Sequence, residues 1–252
     1  MILKGNLYSK VLDMETGITV ISPQSRIVDK PYKVMYLLHG LCGSAANFCD
    51  YTMLPFYAWE TDMLFVLPEV QRSFYTNMKY GLKYFTYITE ELPQICANHF
   101  RISTLREDTY IGGVSMGGYG ALKCALSKPE QYQGCCAIAP AALNMREFLH
   151  QLELGEFGEK HPDLISVYGE KYEWLPSNDI LELYDKALIK GNAPKVYHAC
   201  GTEDFLYNTN YDFSKIISKT HADYIFEAWA GEHDFNFFNQ ALFKGLKELK
   251  IL

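Results

Sequence analysis

The stretch Thr109-Tyr110-Ile111-Gly112-Gly113-Val114-Ser115-Met116-Gly117-Gly118-Tyr119-Gly120 joins two periodicities within a dozen residues. Residues 109–113 are β-prone up to a pair of glycines and read as a buried strand. Residues 116–127 continue as a helix that stops before Pro129. Between them, Gly113-Val114-Ser115-Met116-Gly117 has the form GxSxG. A strand-to-helix turn this tight forces its central serine into a strained, exposed conformation, and the flanking glycines answer the close approach of other backbone. Gly112, Gly118 and Gly120 extend the small-residue patch, so the helix can lie close to the neighbouring strands. The helix N-terminus turns its partial positive charge toward any negative charge that forms near Ser115. A phosphate-cradling loop is the competing reading. It lacks support, because no Lys-Ser or Lys-Thr pair follows and no GxGxxG is present.

Outward from this turn, strand and helix patterns alternate. Residues 7–12 and 18–22 read as two antiparallel opening strands with a turn over Glu15-Thr16-Gly17. Short apolar runs at 33–38, 63–67, 135–139, 196–200 and 224–229 have the character of strands buried on both faces. Helical patterns fall at 44–59, 87–100 and 234–249. This alternation predicts an α/β protein with a doubly wound, mainly parallel sheet. Residues 141–191 break the rhythm, with helical patterns at 145–152 and 180–189 but no buried strand. That length exceeds an ordinary connection, so the stretch is expected to be a lid-like insertion above the C-terminal edge of the sheet, where such folds place their substrates. The rest of 1–252 reads as one domain around it.

Composition narrows the function classes. The 252 residues are 48% hydrophobic and 21% charged with a net charge of −7, which fits a globular chain and leaves no room for a low-complexity one. No basic stripe is present to neutralise phosphates, so no nucleic-acid partner is expected. The N-terminus Met1-Ile2-Leu3-Lys4-Gly5-Asn6 lacks a signal-peptide pattern, and no apolar run approaches the ~18 residues of a membrane helix. Cys42, Cys49, Cys96, Cys124, Cys135, Cys136 and Cys200 are odd in number and form no CxxC, so they read as reduced core thiols of a cytoplasmic protein. No cofactor and no metal is expected, and oligomeric state is not legible.

A serine hydroxyl is a weak nucleophile and needs a base held by a third group. Following a GxSxG turn, the chain order is serine, acid, histidine. His198 lies inside the strand at 195–200 and reads as a packed sheet histidine. His233 follows the strand at 224–229 through Ala230-Gly231-Glu232, on a loop suited to a base. The preceding strand runs into Gly201-Thr202-Glu203-Asp204, which makes Asp204 the expected acid, with Glu203 its competing neighbour. Asp212, Asp223 and Asp234 read as helix-face or capping residues. A tetrahedral intermediate needs two donors. The backbone N–H of Met116 supplies one and that of Leu41, in His39-Gly40-Leu41-Cys42-Gly43, the other. His39 is read as holding that loop. Cys42 is read as a small buried packing residue, with a thiol reactive beside the site as the sharper alternative.

Together these residues resemble the esterase D-like branch of the α/β-hydrolases, which includes tributyrin esterases, cinnamoyl (feruloyl) esterases and S-formylglutathione hydrolases. The matching segments are HGLCGS at His39, SFYTNMKYG at Ser73, YFTYITEELPQI at Tyr84, GGVSMGGYGALKCAL at Gly112 and GEHDF at Gly231. The resemblance implies an α/β-hydrolase fold and a serine carboxylesterase on small acyl or aryl-acyl groups, with Ser115, Asp204 and His233 in the triad positions. S-formylglutathione hydrolases carry a longer segment before the TEELP helix and a different sequence around the histidine, so the resemblance leans to the tributyrin and cinnamoyl side. Transfer of the acyl group to an alcohol other than water remains an alternative use of the same intermediate. A non-catalytic binding module would show a broken triad, whereas every position here is filled. Within the insertion, Leu154, Phe157, Tyr168 and Trp174 are candidates for a lid or for packing the insertion to the body.

Overall fold

The computed structural model describes residues 1–23, 30–155, 162–173 and 175–252. Eight strands form one sheet: β1 (Ile2–Ser9), β2 (Met14–Ile21), β3 (Lys33–Leu38), β4 (Met63–Pro68), β5 (Thr109–Val114), β6 (Gly134–Ile138), β7 (Lys195–Gly201) and β8 (Tyr224–Trp229). Their order across the sheet is β1-β2-β4-β3-β5-β6-β7-β8. The β1–β2 and β2–β4 pairings are antiparallel, and all pairings from β4 to β8 are parallel. The alternation of side chains along β3 shows why both faces are covered. Val34, Tyr36 and Leu38 enter one apolar core, and Met35 and Leu37 enter the other.

The helices are α1 (Asn47–Tyr51), α2 (Leu54–Tyr57), α3 (Tyr84–Thr86), α4 (Leu92–His99), α5 (Met116–Ser127), α6 (Met145–Glu153), α7 (Pro162–Tyr168), α8 (Ile180–Ile189), α9 (Tyr207–Ile217) and α10 (Phe235–Glu248). In α5 every residue from Met116 to Leu126 is buried. Phe237, Phe238, Leu242 and Leu246 of α10 seal the opposite face. The 141–191 stretch contributes α6, α7 and α8 and no strand among the described residues. It is tied down at α7, where Lys79 and Tyr80 donate their N–H groups to the carbonyls of Val167 and Ser166.

Three expectations are corrected. Glu15, Thr16 and Gly17 lie within β2, paired with Tyr8, Leu7 and Asn6, and the hairpin turns over residues 10–13 instead. Asp13 supplies the left-handed position there, with φ 52°. The Glu91 carboxylate accepts from Lys10 N–H and receives the Ser9 hydroxyl, a partner some eighty residues away. The helix expected over 44–59 is broken into α1, α2 and a short 3₁₀ turn, because Thr52 is extended and Pro55 starts a new segment. The helix expected over 87–100 starts earlier, as α3, passes through a π-turn at Tyr87–Glu91 and resumes as α4 around Pro93, which has no N–H to donate.

Candidate active site

Ser115 sits between the end of β5 and the start of α5 with φ 55° and ψ −120°, a conformation that costs a non-glycine residue roughly 1–3 kcal/mol. Three backbone bonds hold it there. Its N–H donates to Ile138 O at 2.9 Å, and its carbonyl accepts from Tyr119 at 3.1 Å and from Ala141 at 3.1 Å. Glycine is required on both sides of the turn. A Cβ on Gly113 would lie 2.7 Å from the Leu38 carbonyl, and one on Gly117 would be driven into that same oxygen.

Leu41 belongs to the loop that follows β3. Its N–H donates to no carbonyl among the described residues, and that of Met116 opens α5 with no preceding turn to accept it. Leu41, Ser115 and Met116 line one cleft of about 710 Å³. The loop is held from beneath by three residues. His39 Nδ1 donates to Gly40 O at 2.8 Å, and its Nε2 faces Val70 N–H at 3.2 Å and Glu69 Oε1 at 3.1 Å. Tyr75, fully buried and at φ 51°, donates its hydroxyl to His39 O at 2.8 Å. Burial pushes the Glu69 carboxyl up, but His39 and the N–H groups of Gln71 and Ala45 outweigh it and bring the pKa down to about 2. Glu69 and Tyr75 are positioning residues that the sequence reading did not single out. A carboxylate one residue past the end of β4, at the C-terminal edge of the sheet, was the available signal for Glu69.

The second half of the site comes from β7 and β8. The Asp204 side chain is fully buried. It accepts from His233 Nδ1 at 2.6 Å through Oδ2 and from Leu206 N–H at 2.8 Å through Oδ1. Two bonds clamp these loops together, Thr202 N–H to Trp229 O and Glu203 N–H to Gly231 O. The Glu203 side chain is exposed, and Asp234 instead caps α10 by accepting from Asn236 and Phe237. The His233 ring lies between Phe205, at 4.8 Å, and Phe238, at 5.1 Å. Phe205 also lines the Ser115 cleft, so one ring joins the two halves. No hydrogen bond links the Ser115 hydroxyl to His233 among the described residues. Such bonds are often long before substrate binds.

His198 is a different case. It is completely buried, with Nδ1 2.6 Å from the Tyr224 hydroxyl and Nε2 2.6 Å from Asn210 Oδ1, and burial lowers its pKa to about 4. Cys42 is exposed rather than a buried packing residue, and the Arg72 guanidinium lies 3.7 Å from its sulfur. The remaining cleft wall is mostly apolar, built largely from Phe74, Leu143, Phe148, Leu181, Phe213 and Ile216, with Glu147 and Asp212 among its polar members. Tyr168 is buried against Phe74 and fastens the insertion to the body, whereas Leu154 is exposed. Phe157 and Trp174 lie outside the described residues. Among the described residues no cluster of His, Cys, Asp and Glu is placed to hold a metal, and no helix is long and apolar enough to cross a membrane.

A family profile described as "Putative esterase" matches residues 9–249. An acetyl esterase of Caldicellulosiruptor saccharolyticus is 30% identical over 254 residues, covering 95% of this chain and 94% of that one. Among solved structures, the fluorophosphonate-binding serine hydrolase FphF of Staphylococcus aureus superposes with a TM-score of 0.86 at 29% identity, covering 99% of this chain and 98% of its own. The S-formylglutathione hydrolase FrmB of the same organism superposes with a TM-score of 0.84 at 29% identity and the same coverage. With its mostly parallel α/β-hydrolase sheet, the chain belongs to this esterase family and is a serine hydrolase acting on small-molecule carboxylic esters.

Proposed function

We propose that Ser115 attacks the ester carbonyl, that His233 takes its proton and later returns it to the leaving alcohol, and that Asp204 orients His233 and stabilises its imidazolium. The backbone N–H groups of Leu41 and Met116 receive the negative oxygen of the tetrahedral intermediate. Water then hydrolyses the acyl-enzyme by the same proton route. The observation that carries this reading is the meeting of a strained Ser115 with the Leu41 and Met116 backbone in one apolar cleft, beside a loop that bears a His233–Asp204 pair. The preferred substrates are short-chain or aryl-acyl esters without charge. The 141–191 insertion acts as the lid-like wall that sizes the acyl group, through Leu143, Phe148 and Leu181.

The likeness to FrmB raises S-formylglutathione as a second substrate. Among the described residues the charged ones lining the cleft are Glu147 and Asp212, both acidic, and no cation is among them. Glutathione thioesters are anionic, so this cleft disfavours them. The test compares kcat/KM for acetate, butyrate, octanoate, methyl ferulate and S-formylglutathione, alongside labelling by a fluorophosphonate probe. We expect the neutral esters to lead and the label to fall on Ser115. Fastest turnover of S-formylglutathione would overturn the substrate class, and labelling of another serine would overturn the nucleophile.

A further inference from the structure

A second cavity, of about 720 Å³, shares no lining residue with the Ser115 cleft among the described residues. It lies along α5, which supplies Lys123 and Leu126, and α8, which supplies Leu183, Lys186 and Ala187. Among the described residues its charged lining consists of Lys123, Lys128, Lys186 and Lys190, with no carboxylate. Lys128 and Lys186 pair at the rim with Glu90 and Glu182, which stand outside the lining.

Lys123 is 3% exposed and makes no ion pair among the described residues. Its ammonium donates to Thr76 Oγ1 at 2.7 Å and to Asn178 Oδ1 at 2.7 Å, which uses two of three N–H groups. Asn178 is 1% exposed, and its Nδ2 has no partner among the described residues. Lys123 and Asn178 both line this electropositive cavity, so two neighbouring buried donors stand at its wall. A buried cation without an anion is costly, and burial brings the pKa of Lys123 down to about 7.

We propose that this cavity binds an organic carboxylate with an apolar body. The two carboxylate oxygens accept from Lys123 Nζ and Asn178 Nδ2, and the body lies along Phe85, Leu126, Leu175 and Leu183. Two deep donors match a carboxylate, whereas a phosphate would press further charged oxygens against the apolar wall. The site stands apart from Ser115 and does not depend on the role given to that residue.

The test is titration calorimetry with benzoate at pH 7 in two buffers of different ionisation heat, with benzamide and inorganic phosphate in parallel. Benzoate is expected to bind one site and to draw in up to about half a proton as Lys123 becomes fully charged. Benzamide and phosphate are expected to bind at least about tenfold more weakly. Lys123→Met should weaken benzoate about tenfold or more. If that variant does not fold, Ser177→Trp decides the matter, because it narrows the cavity from an exposed position. Phe148→Ala, in the Ser115 cleft, should leave benzoate affinity unchanged. The proposal is overturned if benzoate fails to bind, if benzamide or phosphate binds as tightly, if Ser177→Trp leaves affinity intact, or if Phe148→Ala removes it.

Discussion

His198 and His233 come from adjacent stretches of the same sheet and share one chemistry, yet their surroundings differ at every point. His198 is inside β7, completely buried, with neutral partners on both ring nitrogens and a pKa lowered to about 4 by burial. His233 is on the loop after β8, with a carboxylate on Nδ1 and aromatic rings about it. A strand interior uses up both nitrogens of a histidine. A loop beyond the strand can fix one nitrogen and leave the other for substrate. The same contrast separates Asp204, which is buried and doubly bonded, from Glu203, whose side chain points to solvent.

The largest effects should fall on the loop side of this comparison. Ser115→Ala and His233→Ala should each lower kcat by roughly 10⁴- to 10⁶-fold with the fold intact, as read by ester hydrolysis and circular dichroism. Asp204→Asn should cost roughly 10⁴-fold in kcat with little change in KM, while Glu203→Gln stays within about twofold. If the two carboxylates exchanged these outcomes, the acid would be Glu203 despite its exposure.

His198 should reveal itself through stability and not through rate. Its pKa falls from 6.5 in the unfolded chain to about 4 in the fold, so between these values the unfolded chain binds more protons. Stability should therefore decline as pH falls from about 6.5 toward 4, by up to about 3 kcal/mol from this group. Urea denaturation of His198→Gln should show a shallower decline over that window. An unchanged slope would mean that His198 is not the group responsible.

Glu69 gives a smaller effect in a lower window. Its pKa of about 2 lies below the ordinary carboxyl value, so its contribution is fully present above about 4.5 and is lost as pH falls through 2. With a quarter of its side chain exposed, Glu69→Gln should cost about 1–2 kcal/mol at pH 7, and the difference from wild type should vanish near pH 2. The smallest effect belongs to Cys42. Because its thiol is exposed, Cys42→Ser should change both stability and kcat by less than about twofold. A loss near that of Glu69→Gln would show that the Arg72 contact to its sulfur holds the loop.

The central strands, the long helix α5 and the GxSxG turn were legible because short apolar runs and paired glycines are local signals. The opening hairpin was misread because its turn is set by Glu91, some eighty residues away, and not by the Glu15-Thr16-Gly17 sequence. The helix expected over 44–59 failed at Thr52 and Pro55, where local chemistry was available but was outweighed by the run of apolar residues. The walls of the cleft were not legible either. Phe74, Phe148, Phe205 and Phe213 look like any core aromatic until the chain folds them around Ser115.

By itself, then, the sequence determined the order of strands and helices, the strained serine turn and the residue types able to do acyl transfer. These depend on backbone sterics and periodicity within a few residues of each position. Only the tertiary structure decided that Asp204 and not Glu203 meets His233, that Glu69 and Tyr75 hold the Leu41 loop, and that Lys123 lies buried with no carboxylate partner among the described residues. Those outcomes depend on which distant groups share a low-dielectric space, and burial sets the strength of every charge and hydrogen bond placed there.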